Sequence, residues 1–299
     1  MVIIDLHKKN LKRHLLTWTN RAVDGMFWLC LLAVAWFMTQ VFLLASFKIP
    51  SNSMEAELTT GDNVLVWKPA IGPRIFNLFA SMRNEQTEIY RIPGFKKIKR
   101  NDILVFNFPH PNNWDKIEMH ILKYYIKRCI GLPGDTLSIR NGSFHIEGVQ
   151  IPLGNIESQK EIAVTEKFQD GVFHSFPYDS IIGWNIKDFG PLYIPGKGDS
   201  ITLDRTNYRL YKKLIEWEQQ GELQYKDSTT FLKGNPINGY RFRKNYYFMA
   251  GDNGMNSQDS RYWGVLPEEY IVGKAWIIWK SVDPYTNKFR WDRFLKVIH

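Results

Sequence analysis

The sequence is short of cysteine, with only Cys30 and Cys129 in 299 residues. A scaffold stapled by disulfides is thereby excluded, and stability must come from packing, which a chain of this length allows. Seven histidines, His7, His14, His110, His120, His145, His174 and His299, never stand at metal-ligand spacings, so neither a metal site nor a cofactor is expected. Zinc-ligand spacing, a basic heptad and an aromatic ribonucleoprotein box are all missing, so no nucleic-acid partner is expected. No internal repeat or low-complexity tract is present. Acidic residues are the minority charge, 30 against 39 basic, for a net charge of +9.

Long apolar runs are scarce, and there is one. Met26 to Phe47 carries no charge over 22 residues, and Gln40 is its most polar member. As a helix it rises about 33 Å, enough for a hydrocarbon core of about 30 Å. A core helix of a soluble protein is the bland alternative, disfavoured by the run's length and by charge at both ends. A cleaved signal peptide would have a shorter apolar region and a small-x-small site, which Leu44-Ala45-Ser46-Phe47-Lys48 does not supply. The expectation is therefore a retained, single transmembrane helix over residues 26–47. Residues 1–25 hold Lys8, Lys9, Lys12, Arg13 and Arg21 against Asp5 and Asp24, a net +3. The positive-inside rule makes this tail cytoplasmic and sends residues 48–299 across the membrane. The remaining +6 suits anionic head groups, which makes membrane lipid an expected partner.

The exported part reads as mainly β. Gly61-Asp62 turns into an apolar strand over 64–68, and Asn101-Asp102 introduces another over 103–106. A third strand over 124–130 ends at the turn Gly131-Leu132-Pro133-Gly134-Asp135. Asn141-Gly142 between two alternating runs is a hairpin signal. Between 146 and 240 the character is mixed. Strands are expected over 192–194 and 201–203, and Asp204 caps a helix running to about Gln220. This stretch reads as an inserted α+β subdomain with its own small core. Residues 48–145 and 241–299 make up the rest of the exported domain. The apolar piece 74–79 is either a loop over the core or a segment dipping into the lipid interface.

Ser53 follows the apolar run by six residues, which puts a hydroxyl within about 20 Å of the end of the span. Lys127 lies in Tyr125-Ile126-Lys127-Arg128-Cys129-Ile130, where alternation places Tyr125, Lys127 and Cys129 on one face and Ile126, Arg128 and Ile130 on the other. Such a lysine is partly desolvated, its pKa falls, and its neutral amine can take a serine proton. Most strand lysines simply keep their heads in water. The polar loop Gly251-Asp252-Asn253-Gly254-Met255-Asn256-Ser257-Gln258-Asp259-Ser260-Arg261-Tyr262-Trp263-Gly264 is, taken alone, an Asx-rich turn.

Together, Pro50-Ser51-Asn52-Ser53-Met54, Tyr125-Ile126-Lys127-Arg128, the 131–135 turn and the 251–264 loop strongly resemble the type I signal peptidases, with an anchor directly before the serine motif as in that family. The resemblance covers most of 26–140 and 240–275. It implies an antiparallel β-sheet catalytic domain and a Ser–Lys serine endopeptidase in the inner membrane, with its catalytic domain on the periplasmic face. The substrates it implies are signal peptides of secretory preproteins, cut after small residues. Ser53 is then the nucleophile and Lys127 the general base. The Ser53 backbone N–H and the Ser51 hydroxyl form the oxyanion hole. Ser257 steadies the Lys127 amine, Asp259 and Arg261 form a buttressing ion pair, and Asp252 faces Arg128. Ile49, Pro50, Leu58, Tyr125 and Ile126 line the cleft, where an extended substrate adds as a strand.

This chain departs from the family pattern in three places. Met54-Glu55-Ala56-Glu57-Leu58 lacks the usual proline, which leaves the turn after the nucleophile less rigid. Gly254-Met255 replaces Arg-Asp, and Asn52 replaces a small residue. None of these touches Ser53, Lys127, Ser257 or Asp259, so altered preference is expected rather than loss of activity. The competing readings are a membrane-anchored, peptidase-like binding protein with weakened catalysis, and a self-cleaving Ser–Lys repressor, which the span disfavours. Gly198-Asp199-Ser200 looks like a serine-hydrolase motif but has no histidine in a recognisable setting, and reads as a turn.

Overall fold

The computed structural model describes residues 2–77, 80 and 88–298, with side chains from residue 16 onward. The chain divides into two units, Met1–Ala45 and Ser46–His299. In the first, helix α1 (Val2–Met38) continues as a π-helical turn over Thr39–Leu43. Leu16–Leu43 is long and apolar enough to cross a membrane, and an 18-residue window within it has a mean hydropathy of 2.0. The helix expected over 26–47 is thus corrected at both ends. It begins within the basic tail, and it stops four residues before Phe47. Leu44–Lys48 is a strand, β1, and Ser46 accepts a hydrogen bond from the Trp279 indole at 2.8 Å. The apolar side chains of this stretch serve a strand as well as a span, so hydropathy alone does not mark the switch.

The second unit is built on an eight-stranded sheet. After β1 come β2 (Asp62–Trp67), β3 (Ile103–Asn107), β4 (Tyr124–Gly131), β5 (Tyr246–Ala250), β6 (Leu266–Pro267), β7 (Ile271–Ser281) and β8 (Lys296–Val297). The spatial order is β1-β2-β7-β3-β4-β5-β6, with β8 also on β7. Every ladder in this sheet whose register is described is antiparallel. Both faces are covered. Ile103 and Val105 pack with Ile49, Met54, Leu58, Val64 and Val66, while Leu104 and Phe106 of the same strand join a larger cluster on the other side. The period-two geometry of a strand produces this division.

The alternation expected along β4 fails at one position. Met249 pairs with Cys129 and Phe248 with Gly131, so Ile130 is the extra residue of a bulge. It packs in the same cluster as Cys129 rather than with Ile126.

The intervening residues carry the hairpin Thr136–Arg140 and Ser143–Ile146, whose turn residues Asn141 and Gly142 both have positive φ. Phe189–Tyr193 pairs with its first strand. Helix α2 (Ile156–Val164) was not expected from the sequence. Helix α3 (Arg205–Gln219) starts where Asp204 accepts the Asn207 N–H at 2.7 Å, as expected, and ends at Gln220 in the left-handed region. The expectation of a separate small core is corrected. Leu210, Tyr211, Leu214 and Ile215 belong to one cluster with Phe106, Tyr246 and Phe248 of the sheet, because this face of the sheet is apolar and the insertion is what covers it. In the segment 74–79, Leu78 and Phe79 lie outside the described residues. Arg74–Ile75 forms a short ladder with Tyr90–Arg91.

Candidate active site

Lys127 stands at a central position of β4, between β3 and β5, opposite Leu104. Neighbours on both sides leave its stem no route to solvent, and the residue is only 4% exposed. Its Nζ donates to Ser53 Oγ at 2.5 Å and lies 5.8 Å from the centre of the Tyr125 ring. Burial lowers the Lys127 pKa to about 8. Asp259 and Asp252 work against that shift, and Arg261 adds to it. Near neutral pH a fraction of the amine is therefore uncharged and able to accept a proton.

Ser53 is fixed by the turn around it. The Glu55 N–H donates to the Asn52 carbonyl at 3.0 Å and the Leu58 N–H to the Met54 carbonyl at 2.8 Å. Met54 and Leu58 are fully buried. The proline-less segment is thus closed by hydrogen bonds and two apolar anchors. Its far end is held by Asp62, which is itself fully buried. Asp62 accepts from the Thr59 N–H at 2.9 Å, from the Ser281 hydroxyl at 2.7 Å and from Arg293 at 2.6 Å. Glu55 is exposed. Glu57 gives its backbone carbonyl to Arg293 at 2.9 Å.

Among the described residues the Ser53 N–H has no acceptor, which leaves it available to an oxyanion. The exposed Ser51 hydroxyl donates to Ser53 Oγ across a long 3.4 Å. The expected cleft residues separate into two groups. Pro50 is exposed and Tyr125 and Ile126 are half-buried, whereas Ile49 and Leu58 are closed into the apolar cluster against which Ile126 packs. The Tyr125 hydroxyl donates to Gln258 Oε1 at 3.0 Å.

The loop after β5 supplies the backing. Arg261 grips Asp259 with two bonds of 2.8 Å, and both side chains are almost wholly buried. Burial alone would raise the Asp259 carboxyl, but Arg261, the Gly251 N–H and Ser257 hold it below the usual carboxylate value. Arg128 makes the same two-pronged contact with Asp252, both bonds at 2.7 Å. Ser257 departs from expectation. Its hydroxyl donates to Asp259 Oδ2 at 2.7 Å, and the bond described for the Lys127 amine goes to Ser53. A buried carboxylate is the stronger acceptor, so Asp259 holds Ser257 directly and acts on Lys127 through its charge.

Three residues of this loop have roles that their types alone do not announce. The Asn253 N–H donates to the Ser53 carbonyl at 3.1 Å, and Asn256 Nδ2 donates to Asn52 Oδ1 at 2.9 Å. A Cβ on Gly251 would stand 2.1 Å from Ser257 Oγ and 2.5 Å from the Ser53 carbonyl oxygen. A cavity of about 1100 Å³ lies elsewhere, bordered by Glu118, Glu216, Trp217, Glu222, Lys244 and Tyr270.

The family model described as "Signal peptidase, peptidase S26" matches residues 21–280. A signal peptidase I of Buchnera aphidicola subsp. Baizongia pistaciae is 34% identical over 271 residues, covering 86% of this chain and 77% of the relative. Signal peptidase I of Pseudomonas aeruginosa is 29% identical over 270 residues, with coverages of 86% and 72%. That of Helicobacter pylori strain J99 is 26% identical over 293 residues, with coverages of 89% and 88%. A solved signal peptidase I from Enterococcus faecalis V583 is 21% identical and covers 60% of this chain and 97% of its own. Its TM-score of 0.29 is too low to add to the fold. With a model match over most of its length and a relative above 30% identity, the chain belongs to the signal peptidase family, peptidase S26.

Proposed function

We propose that this chain is a membrane-anchored serine endopeptidase that removes N-terminal signal peptides from exported preproteins, cutting after small residues. One observation carries the reading: a lysine buried to the point of a pKa of about 8 is hydrogen-bonded to a serine hydroxyl. That is the chemistry of an activated nucleophile.

Neutral Lys127 takes the Ser53 proton as Oγ attacks the scissile carbonyl. The oxyanion accepts from the Ser53 N–H and the Ser51 hydroxyl. The Lys127 ammonium then hands its proton to the leaving amine, which frees the mature protein and leaves the signal peptide as an ester on Ser53. A water molecule, deprotonated by Lys127, attacks that ester, and Ser53 recovers its proton as the peptide departs with a new carboxylate. The preprotein lies extended between Pro50 on one side and Tyr125 and Ile126 on the other, as an added strand. Half-buried Ile126, backed by the closed cluster that holds Ile49 and Leu58, favours small, apolar side chains next to the cut.

The apolar helix Leu16–Leu43 anchors the chain in the inner membrane. The basic residues before Met26 keep that end cytoplasmic, with the sheet on the periplasmic side. Membrane lipid is a partner of the sheet as well. Trp276, Trp279, Trp291, Phe294 and Leu295 are exposed, and exposed Lys280 lies among them, the aromatic and cationic mixture suited to a head-group layer.

The test is processing of a secretory precursor by purified protein in detergent, with the product's new N-terminus sequenced. Wild type is expected to cut after a small residue, and Ser53→Ala not at all. A folded wild type that cuts no precursor overturns the reading.

A further inference from the structure

Helix α2 belongs to the insertion, yet it touches the catalytic loop. Asn155 caps the helix by accepting from the Glu157 and Ser158 N–H groups at 3.0 and 3.3 Å. The cap fixes the first turn, and Ser158 in that turn is buried. Its Oγ accepts the Gly254 N–H at 2.6 Å. The Gly254 carbonyl in turn accepts Arg261 Nη2 at 3.0 Å. The preceding N–H, that of Asn253, is the one bonded to the Ser53 carbonyl. Consecutive peptide groups therefore connect the insertion, the Asp259–Arg261 pair and the nucleophile's own backbone.

The fit also accounts for Gly254, one of this chain's departures from the family pattern. A Cβ there would stand 2.7 Å from Ile162 Cδ1 and 2.9 Å from Ser158 Oγ. Any larger residue there would force the Ile162 and Ser158 side chains to shift, so glycine lets α2 sit directly on the loop with Ser158 in place. Ala in place of Ser158 would leave the Gly254 N–H buried without a partner, a cost that a short loop escapes by shifting.

We infer that Ser158 is a positioning residue for the peptidase reaction, so that the insertion sets the catalytic loop through the Ser158–Gly254 bond. The inference rests on the peptidase reading above. A small displacement of a reacting group is enough to slow chemistry sharply, while Ser158 itself touches neither Ser53 nor Lys127.

The experiment compares wild type, Ser158→Ala, Ser158→Thr and Gly254→Ala in precursor cleavage across pH, with thermal unfolding of each. Ser158→Ala is expected to lower kcat about tenfold with KM nearly unchanged. The rising limb of its pH profile should move, because Arg261 and Asp259 set the field at Lys127. Ser158→Thr keeps the acceptor and should restore both. Gly254→Ala, which pushes the loop off the helix from the other side, should lower kcat in the same way, and it serves as the reporter if Ser158→Ala does not fold. Wild-type kcat in folded Ser158→Ala or Gly254→Ala overturns the inference. So does a loss that tracks only the unfolded fraction, with the pH limb unmoved. No cleavage by wild type instead overturns the peptidase reading, which separates the two failures.

Discussion

Asn253 donates its backbone N–H to the carbonyl of Ser53 at 3.1 Å, so the nucleophile's backbone is tied to the loop that carries Ser257 and Asp259. Gly251 makes the close approach of these segments feasible, since any side chain there meets both Ser53 and Ser257. Gly251→Ala is accordingly expected to reduce precursor cleavage by at least about a hundredfold through displacement of Ser53. Single-turnover cleavage by the folded variant checks it, and a rate within threefold of wild type, as an order-of-magnitude bound, would show that the loops separate at no cost.

The pH dependence follows from Lys127. Its working form is the neutral amine, and burial brings its pKa to about 8. The rate at limiting precursor should rise tenfold per pH unit below that value and level off above it. Stability should change in the same direction. The unfolded lysine, with a pKa of about 10.4, binds a proton that the folded one has lost between pH 8 and 10.4, so this group favours folding more as pH rises through that window. Lys127→Met should abolish cleavage and flatten this part of the stability curve. Urea titrations of both proteins from pH 7 to 10.5 provide the comparison.

Much of this site is legible from residue types and spacing, and what is not has physical causes. Lys127 and Cys129 are placed correctly by strand alternation, but Ile130 is not, because a bulge depends on the partner strand and leaves no local mark. Helix α3 announces itself through Asp204 and a strong apolar stripe. Helix α2 has only nine residues, so its signal reduces to Asn155 followed by Glu157 and Ser158, a cap that also fits a turn. Asn253 acts through its backbone N–H, Gly251 through having no side chain, and Asn256 through a side-chain bond to Asn52 on a distant segment, and such roles appear only once the segments are brought together. Ser257 illustrates the opposite case, in which the residue is found by motif and its partner turns out to be Asp259.

The buried pair Asp259–Arg261 should be far more sensitive to losing one member than an exposed ion pair. Asp259→Ala leaves the Arg261 guanidinium buried without its counter-charge, at an expected cost of about 3–5 kcal/mol in unfolding free energy. It also removes the acceptor for Ser257 and for the Gly251 N–H. Because the carboxylate raises the Lys127 pKa, whatever activity survives should show its rising limb at lower pH than wild type. Chemical denaturation together with the pH–rate profile measures both effects. An unshifted limb would remove Asp259 from the electrostatics of the amine.

Arg293 offers a test of the other end of the nucleophile's loop. It bonds both oxygens of buried Asp62 and the Glu57 carbonyl. Burial would raise the Asp62 pKa, but the hydrogen bonds from Arg293, Ser281 and Thr59 outweigh it and leave the carboxyl below its usual value. A depressed carboxyl stabilises the fold above its unfolded pKa of about 3.9, and that contribution is lost as pH falls through the lower folded value. In Arg293→Ala the balance reverses, since the desolvated carboxyl has lost its main counter-charge. Acid unfolding should then begin at higher pH than in wild type, and stability near pH 7 should fall by about 3–5 kcal/mol, as for other broken buried pairs. Because the same arginine holds the Glu57 carbonyl four residues beyond Ser53, kcat should drop in the folded fraction while the midpoint of the pH–rate limb, set by Lys127, stays in place. A shift of that midpoint would mean that the turn also controls the setting of the amine.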